Sequence, residues 1–578
     1  MNDLNPFPAE GHSPLPQVTR RRMLAAMGGL GVAGVVAACS SSPGRPTAAR
    51  TSPVGAPRAS GSAGQASAAG QLKIPPLLAY RVDAQGRKVF DLTAGTGTTT
   101  LLPGTTTPTW GFNGTYLGPT IRVSRGDRIK LQVHNHLPAA TTVHSHGMHL
   151  PAIDDGGPHQ TIPAGATWTP AWTIDQPATT LWYHPHPMGQ TADQTYRGLA
   201  GLYIIDDPVS RALPLPDQYG VNDIPVIIQD KNFNADGSLD FANSAASRGD
   251  PERLGNTILI NGTYNPHLTV GDQRVRFRLL NASDARFYNI GFADGRTFDL
   301  IATDEGLVER PVPLQRIQLA PAERAEIVAT FRPGEQVMLH SFAPDLHLSN
   351  SANGGGGGGG GGFPTSGGGG GGGFPGGGGG GSLSQAEGSL DGGGQSFDLL
   401  QIRAAATLRP SPALPAQLTT IPAPDPAKAV RTRTFQLDRA DAINGQQMNM
   451  DVVNVVALAG TSEIWEVTGF LPHDFHIHGV SFQVIEWAGS PPPPQIAGWK
   501  DTVYVPPEQT VRLLVPFGNY ADPHHPYMYH CHILQHEDDG MMGQFVVVQP
   551  GQQAQVAVGG AYDANDPNIS GGATSGSM

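Results

Sequence analysis

An asparagine–glycine turn that leads, through a second glycine turn, into an alternating strand recurs three times in this chain. That repeat constrains the fold most. The first copy is Asn113-Gly114-Thr115-Tyr116, followed by Gly118-Pro119-Thr120-Ile121-Arg122, then Gly126-Asp127 and the alternating run Ile129, Leu131, Val133. The second is Asn261-Gly262-Thr263-Tyr264, with Gly271-Asp272 leading into Val275, Phe277 and Leu279. A fainter third is Asn444-Gly445, then Gly460-Thr461 and the strand Ile464-Trp465-Glu466-Val467. Three copies at intervals of roughly 150 residues point to three related β-sandwich units. Glycine (76) and proline (52) are frequent, which favours short strands and turns over long helices. The expected fold is all-β, with units over residues 72–210, 220–410 and 430–550.

The 578 residues suffice for two to four ordinary domains. Charged residues are sparse and the net charge is −12, so no nucleic-acid partner is expected. The start of the chain, residues 1–39, looks like an export address. Thr19-Arg20-Arg21-Arg22-Met23-Leu24 precedes a weakly apolar run from Ala25 to Ala38 that is too short to span a bilayer. Its paired arginines resemble a twin-arginine export signal. Val36-Ala37-Ala38-Cys39 resembles the lipobox of bacterial lipoproteins. Lipidation at Cys39 would anchor an exported, periplasmic or cell-surface protein behind a disordered linker over 40–71. Membrane contact is expected only through that anchor. With Cys39 lipidated, Cys531 has no disulfide partner, and a metal gives a lone exported thiol another purpose.

A second low-complexity stretch, residues 353–394, consists of glycine runs broken by Phe363-Pro364 and Phe374-Pro375. It reads as a mobile loop inserted in the second unit, and the tail 551–578 reads as disordered.

Ten of the twenty histidines fall in four clusters: His144-Ser145-His146, His184-Pro185-His186, His473-Asp474-Phe475-His476-Ile477-His478, and the stretch from His530 through Cys531, His532 and His536 to Met541. On a strand, residues two apart share a face. Each His-x-His therefore offers two converging imidazoles. Cys531 points away from His530 and His532, so one strand serves a metal on each side. His536 and Met541 follow closely enough to fold back to the cysteine. His473 lies an odd number of residues from its pair and turns to the opposite face, supplying a second histidine for Cys531. Two histidines, a thiolate and a weak axial methionine form the blue-copper pattern. Zinc would favour a closed four-ligand set with no use for the methionine.

In this order the four clusters resemble the copper motifs of three-domain multicopper oxidases, across about residues 72–550. Asp155-Gly156-Gly157-Pro158, Arg197-Gly198-Leu199-Ala200-Gly201 and Gly498-Trp499-Lys500-Asp501-Thr502 extend the likeness. Within the family it is to bacterial cuprous oxidases, bilirubin oxidases and spore-coat laccases. The resemblance implies three cupredoxin-like domains and four copper ions. It assigns a type 1 copper to His473, Cys531, His536 and Met541. It assigns a type 2 copper to His144 and His476, and a type 3 pair to His146, His184, His186, His478, His530 and His532. Ser145 stands where the family usually has tryptophan, which touches only local packing. Asp155 and Glu537 resemble the acids the family uses for proton delivery. His134, His136, His149, His159, His524 and His525 match no ligand position and read as loop or supporting residues.

The implied reaction couples four one-electron oxidations of a small-molecule or metal-ion reductant to the reduction of O2 to two waters, in a monomer. No methionine-rich insert is present; Met448 and Met450 are the nearest thing to one. A laccase-like enzyme with phenolic or aromatic donors is therefore expected ahead of a cuprous oxidase for copper tolerance, with Mn(II) or a bilirubin-like donor as further options. Two other classes share the fold. One is a non-enzymatic cell-division scaffold, which the intact ligand set disfavours. The other is a two-domain copper nitrite reductase, which lacks a paired type 3 site.

Overall fold

Each copy of the asparagine turn folds in the same way. Asn113, Asn261 and Asn444 all adopt left-handed backbone, with φ of 53°, 49° and 54°, a conformation asparagine tolerates better than most residues bearing a side chain. Each carboxamide then clasps the strand before it. Asn113 Oδ1 accepts from the Thr93 N–H and its Nδ2 donates to the Asp91 carbonyl. Asn261 does the same to Ile227 and Pro225, and Asn444 to Gln436 and Thr434. One side chain thus meets a donor and an acceptor two residues apart, three times over.

The computed structural model describes residues 70–241, 253–346, 395–518 and 520–556, all within one compact unit, Ala66–Met578. The export segment with Cys39, most of the linker, the glycine insert 353–394 and the tail beyond 556 lie outside the described residues. Among those described, the strands form six sheets that pair into three sandwiches. In each, the clasped strand runs parallel to the alternating strand that follows the turn. Lys88–Thr99 pairs with Arg128–Asn135, Asp223–Lys231 with Arg274–Asn281, and Ala429–Asp438 with Thr461–Gly469. The three domains are cupredoxin-like and all-β.

Alternation decides which residues fill the cores. Ile129, Leu131 and Val133 are fully buried in the first sandwich with Phe90, Leu92 and Val143. Val275, Phe277 and Leu279 fill the second, and Trp465, Val467, Phe475 and Tyr529 the third. Gln71, inside the range expected to be linker, pairs with His267, and Leu72 enters the core of the second sandwich. The chain therefore touches the second domain before it builds the first.

Charge as well as apolar packing joins the sandwiches. Arg278 reaches Asp223 and Glu326 in its own domain and Thr180 in the first. Arg324 of the second domain grips Asp501 of the third. Lys500 closes on Asp304 at 2.8 Å and Glu323 at 3.0 Å. Buried ion pairs of this kind fix registry more than they add stability.

Candidate metal centre

The clusters sit on the inner sheets of the first and third sandwiches. His144–His146 is a short strand paired with Thr179–His184, which sets His144 opposite His184 and His146 opposite Trp182. In the third sandwich His473–Ile477 lies beside Asp522–His530, with His476 opposite His530. Rings from the two domains then stack: His144 on His478 at 3.9 Å and His146 on His476 at 3.7 Å between centroids.

Four groups made only of histidine and cysteine converge, all buried: His144, His146 and His476; His146, His184 and His532; His186, His478 and His530; and His473, Cys531 and His536, while a fifth joins Asp155 to His144 and His478. Three of the His-x-His or His-Cys-His pairs are split, one ring to each of two neighbouring groups. Cys531 lies apart, its Sγ 3.5 Å from His473 Nδ1 and 3.6 Å from His536 Nδ1. Met541 is fully buried in the same apolar cluster, and its carbonyl accepts from the Cys531 N–H.

The last cluster departs from the expected strand. The strand ends at His530, and after Ile533 the chain enters a short helix, Leu534–Asp539. Gly540 closes the helix at φ 113°, and the Met541 N–H returns to the His536 carbonyl at 2.8 Å. Alternation survives over the three residues that matter. The helix is what carries His536 back to the sulfur.

Backbone carbonyls set the tautomers, because a carbonyl can only accept. Nδ1–H of His144 donates to Asp155 O, that of His184 to Pro185 O, that of His476 to Asp501 O and that of His530 to Cys531 O. Their Nε2 atoms are therefore bare lone pairs. His478 Nδ1 meets Asp155 Oδ2 at 2.7 Å, which leaves its Nε2 bare too. Yet His478 Nε2 lies 3.1 Å from His530 Nε2. Facing lone pairs in a buried site repel unless a cation lies between them. Imidazole nitrogens about 2 Å from one ion would stand close to this spacing. A proton does not serve, because burial and then neighbouring charged groups or histidines hold His146, His184, His186, His476, His478 and His532 well below the usual imidazole range. Burial lowers His473 and His530 to about 3.

The buried donor atoms fit a metal ion. Nε2 of His144, His184 and His476, and both ring nitrogens of His532, are buried without a hydrogen-bond partner. Burial pushes the Cys531 thiol up, and a coordinated cation would reverse that. Imidazole with thiolate suits copper.

The two expected acids sit at the rings. Asp155 caps the turn Ala152–Asp154 and supports both His478 and His144. Glu537, on the short helix, places its oxygens 3.2 Å from His186 Nδ1 and 3.3 Å from His530 Nδ1, off the hydrogen-bonding direction. Burial and then Asp538 raise its pKa well above the usual carboxyl range. The histidines read as supporting residues join no convergent group among the described residues. His134 meets Thr167, His149 meets Ser481, His159 meets Gln544 and His525 meets Asp522. Ser145 bonds the Tyr203 hydroxyl at 3.2 Å.

Several residues at the site had been given no role. Asp501 accepts from His146 Nε2 at 3.2 Å through Oδ1, besides taking His476 through its carbonyl. Asp474 touches the Cys531 sulfur at 3.4 Å and accepts from the His532 N–H; burial pushes its carboxyl up to about 8. Trp182 stacks on His184 at 4.1 Å. Spacing offered a signal for Trp182, two residues before His184 on the same face, and Asp501 lay in a stretch already noted for its likeness.

Comparison with known proteins agrees with this geometry. Multicopper oxidase family models match residues 93–210 and 418–551. The cell division protein FtsP of Escherichia coli K12 is 35% identical over 492 residues, covering 84% of this chain and 94% of its own. The laccase-like multicopper oxidase CueO of Ochrobactrum sp. is 33% identical with a TM-score of 0.69, covering 82% of this chain and 100% of its own. A laccase from Pediococcus acidilactici is 31% identical with a TM-score of 0.69, covering 83% and 94%. With the repeated sandwich and the converging histidines, these likenesses establish that the chain belongs to the multicopper oxidase family.

Proposed function

We propose that this protein is a laccase-like oxidase that takes electrons singly from a phenolic or aromatic reductant and delivers them to dioxygen. The observation that carries this reading is the placement of Cys531 between two histidines whose rings enter two different groups, with a third group formed around the sulfur itself. His473, Cys531, His536 and Met541 would hold a type 1 copper, His144 and His476 a type 2 copper, and the remaining six histidines a type 3 pair. Copper held there supplies one-electron chemistry and the reduction of oxygen to water.

The chain's own part is connection, orientation and proton supply. Two short stretches of backbone join the Cys531 sulfur to the rings of His530 and His532. Carbonyls hold the rings in one tautomer, which keeps each lone pair aimed inward. Asp155 and Glu537 sit against these rings and would supply them with protons. Site-wide burial keeps bulk water out. The export-like residues Arg20 to Arg22 and Cys39 support action outside the cytoplasm.

A second reading draws on the relatives named as cell division proteins, which match nearly their full length. In that reading the chain binds a partner and turns over nothing. The complete set of inward-facing lone pairs favours the oxidase.

Oxygen uptake by the copper-loaded mature protein tests this, with a methoxyphenol and Cu(I) as parallel donors. Fast uptake with the phenol and slow uptake with Cu(I) is the expected result. The reverse would make it a cuprous oxidase. No uptake with either, at full copper content, would overturn the oxidase reading in favour of the partner-binding one.

A further inference from the structure

A cleft of about 480 Å³ draws its walls from all three domains, with Arg125 and His149 from the first, Glu305 from the second, and Ser481, Trp499 and Tyr520 from the third. At its inner end lies a continuous polar chain. His149 Nε2 is 2.8 Å from Ser481 Oγ, and Ser481 donates to Glu305 Oε2 at 3.0 Å. Gln176 Nε2 steadies the same oxygen at 3.2 Å and the Gly147 carbonyl at 2.9 Å.

Glu305 is 1% exposed, and its other oxygen, Oε1, has no hydrogen-bond partner. It points at Asp501. A Cβ built on Gly147 would stand 2.6 Å from Glu305 Oε1 and 2.4 Å from Asp501 Oδ2, so the two carboxyls face each other across the space that a side chain at 147 would fill. Asp501 in turn supports His146 and His476.

The charges packed around Glu305 do not balance. Arg324 and Lys500 supply two cations to Asp304, Glu323, Asp501 and Glu305. His149 stands beyond Ser481, near Asp175. Burial and then Asp501 raise the Glu305 pKa well above the usual carboxyl range. A buried carboxyl that cannot ionise freely, tied to a solvent cleft by a hydroxyl, is built to take up and release a proton.

We propose that the cleft is a second proton entrance for oxygen reduction, in which Ser481 relays protons to Glu305 at the carboxyl pair it forms with Asp501. The proposal rests on the oxidase reading. Each passage moves one proton and no electron. Glu305 gives up its proton from Oε1 toward Asp501, the Ser481 O–H bond breaks toward Glu305 Oε2, and that bond re-forms with a proton from His149 or cleft water. Four such protons join four electrons and one dioxygen as two waters. Glu305 acts here through Asp501, which supports His146 and His476, whereas Glu537 lies against His186 and His530.

The test compares Glu305→Gln and Ser481→Ala with the wild type, all copper-loaded and matched in metal content and visible spectrum. Both variants should lose kcat on the order of tenfold or more at unchanged reductant KM. Their loss should deepen as pH rises, with a larger solvent deuterium isotope effect. In the copper-free protein, the infrared difference between wild type and Glu305→Gln should show the loss of one protonated-carboxyl band, with the contributions of Asp474 and Glu537 cancelling. If Glu305→Gln fails to take up copper, Ser481→Ala decides alone. Wild-type kcat and isotope effect in Ser481→Ala would overturn the relay, as would an infrared difference spectrum in which Glu305→Gln loses no carboxyl band. A wild type that consumes no oxygen would fail the oxidase reading instead, and the infrared band would still decide whether Glu305 holds the proton.

Discussion

The ring of His530 donates from Nδ1 to the carbonyl oxygen of Cys531, the next residue, at 3.0 Å. The sulfur is therefore joined to that imidazole by a hydrogen bond across the peptide as well as by the covalent chain. Asp474 makes a second link, touching the sulfur and accepting from the His532 N–H.

Replacing the sulfur should separate the two halves of the site. Cys531→Ser leaves the His530 carbonyl contact and the histidine groups in place but removes the soft thiolate. The variant should bind one copper fewer per chain and lose the intense visible absorption of a copper thiolate. Oxygen uptake should fall to background with every reductant. Metal analysis and an absorption spectrum read the first two effects, and an oxygen electrode the third. Uptake at the wild-type rate would remove Cys531 from the electron path.

Asp155 and Glu537 should differ from the ligands in kind. Asp155→Asn can still accept from His478 Nδ1 through its amide oxygen, so the ring stays oriented while the proton carrier is lost. Oxygen reduction should fall by about 10²-fold or more in either Asp155→Asn or Glu537→Gln, with the deficit growing as pH rises and protons become scarce. Copper affinity should weaken by about tenfold in Asp155→Asn, within the range usual for partners of metal-bound histidine. The pH profile of kcat separates the two effects, and an unchanged profile would assign Asp155 to orientation alone.

Chemistry was more legible in the sequence than its supports, for a physical reason. Parity along a strand is local, so it placed His473 with Cys531 and set His530 and His532 on the other side. The asparagine turn is local as well, and even its faint third copy, Asn444, makes the same two bonds as the others. Arg324 meets Asp501 across 177 residues, and Gln176 meets Glu305 across 129. No periodicity records a partner so far away. The strand expected through Cys531 stopped at His530, and the chain passes through Ile533 into the Leu534–Asp539 helix. That helix leans on contacts outside its own sequence: the Leu534 N–H donates to Asp284 O, and Asp538 binds the N–H groups of Thr191 and Ala192.

Acid should unfold the copper-free protein well before it threatens the loaded one. Nine buried histidines have depressed pKa values in the fold. The unfolded chain protonates them near pH 6.5 and the folded chain does not, so stability falls as pH drops below that value. Raised carboxyls such as Glu305, Asp474 and Glu537 act in the opposite sense, since they stay protonated in the fold after the unfolded chain has lost those protons. The nine histidines outnumber the carboxyls raised furthest, which are these three with Asp284 at about 6 and Asp538 at about 7. Each net proton is worth about 1.4 kcal/mol per pH unit. Melting temperatures of copper-free protein at pH 7 and pH 5 should differ by several degrees in the direction of acid instability, and copper should shrink that difference.

Gly147 supplies the last prediction. Its φ of 81° already disfavours a side chain, at a cost of about 1–3 kcal/mol. A methyl group there would also press between Asp501 Oδ2, Glu305 Oε1 and Leu181 Cδ2, the last at 2.7 Å. The carboxyls cannot retreat freely, because Asp501 is held by Arg324 and Glu305 by Ser481 and Gln176. Gly147→Ala should therefore push Asp501 off His146 and disturb the group that His146 shares with His144 and His476. Loss of copper from that group, with the Cys531 site and its visible colour retained, is the expected result in a spectroscopic titration. A Gly147→Ala protein with full copper and an unshifted melting temperature would mean that the two carboxyls can part without loosening the ring behind them.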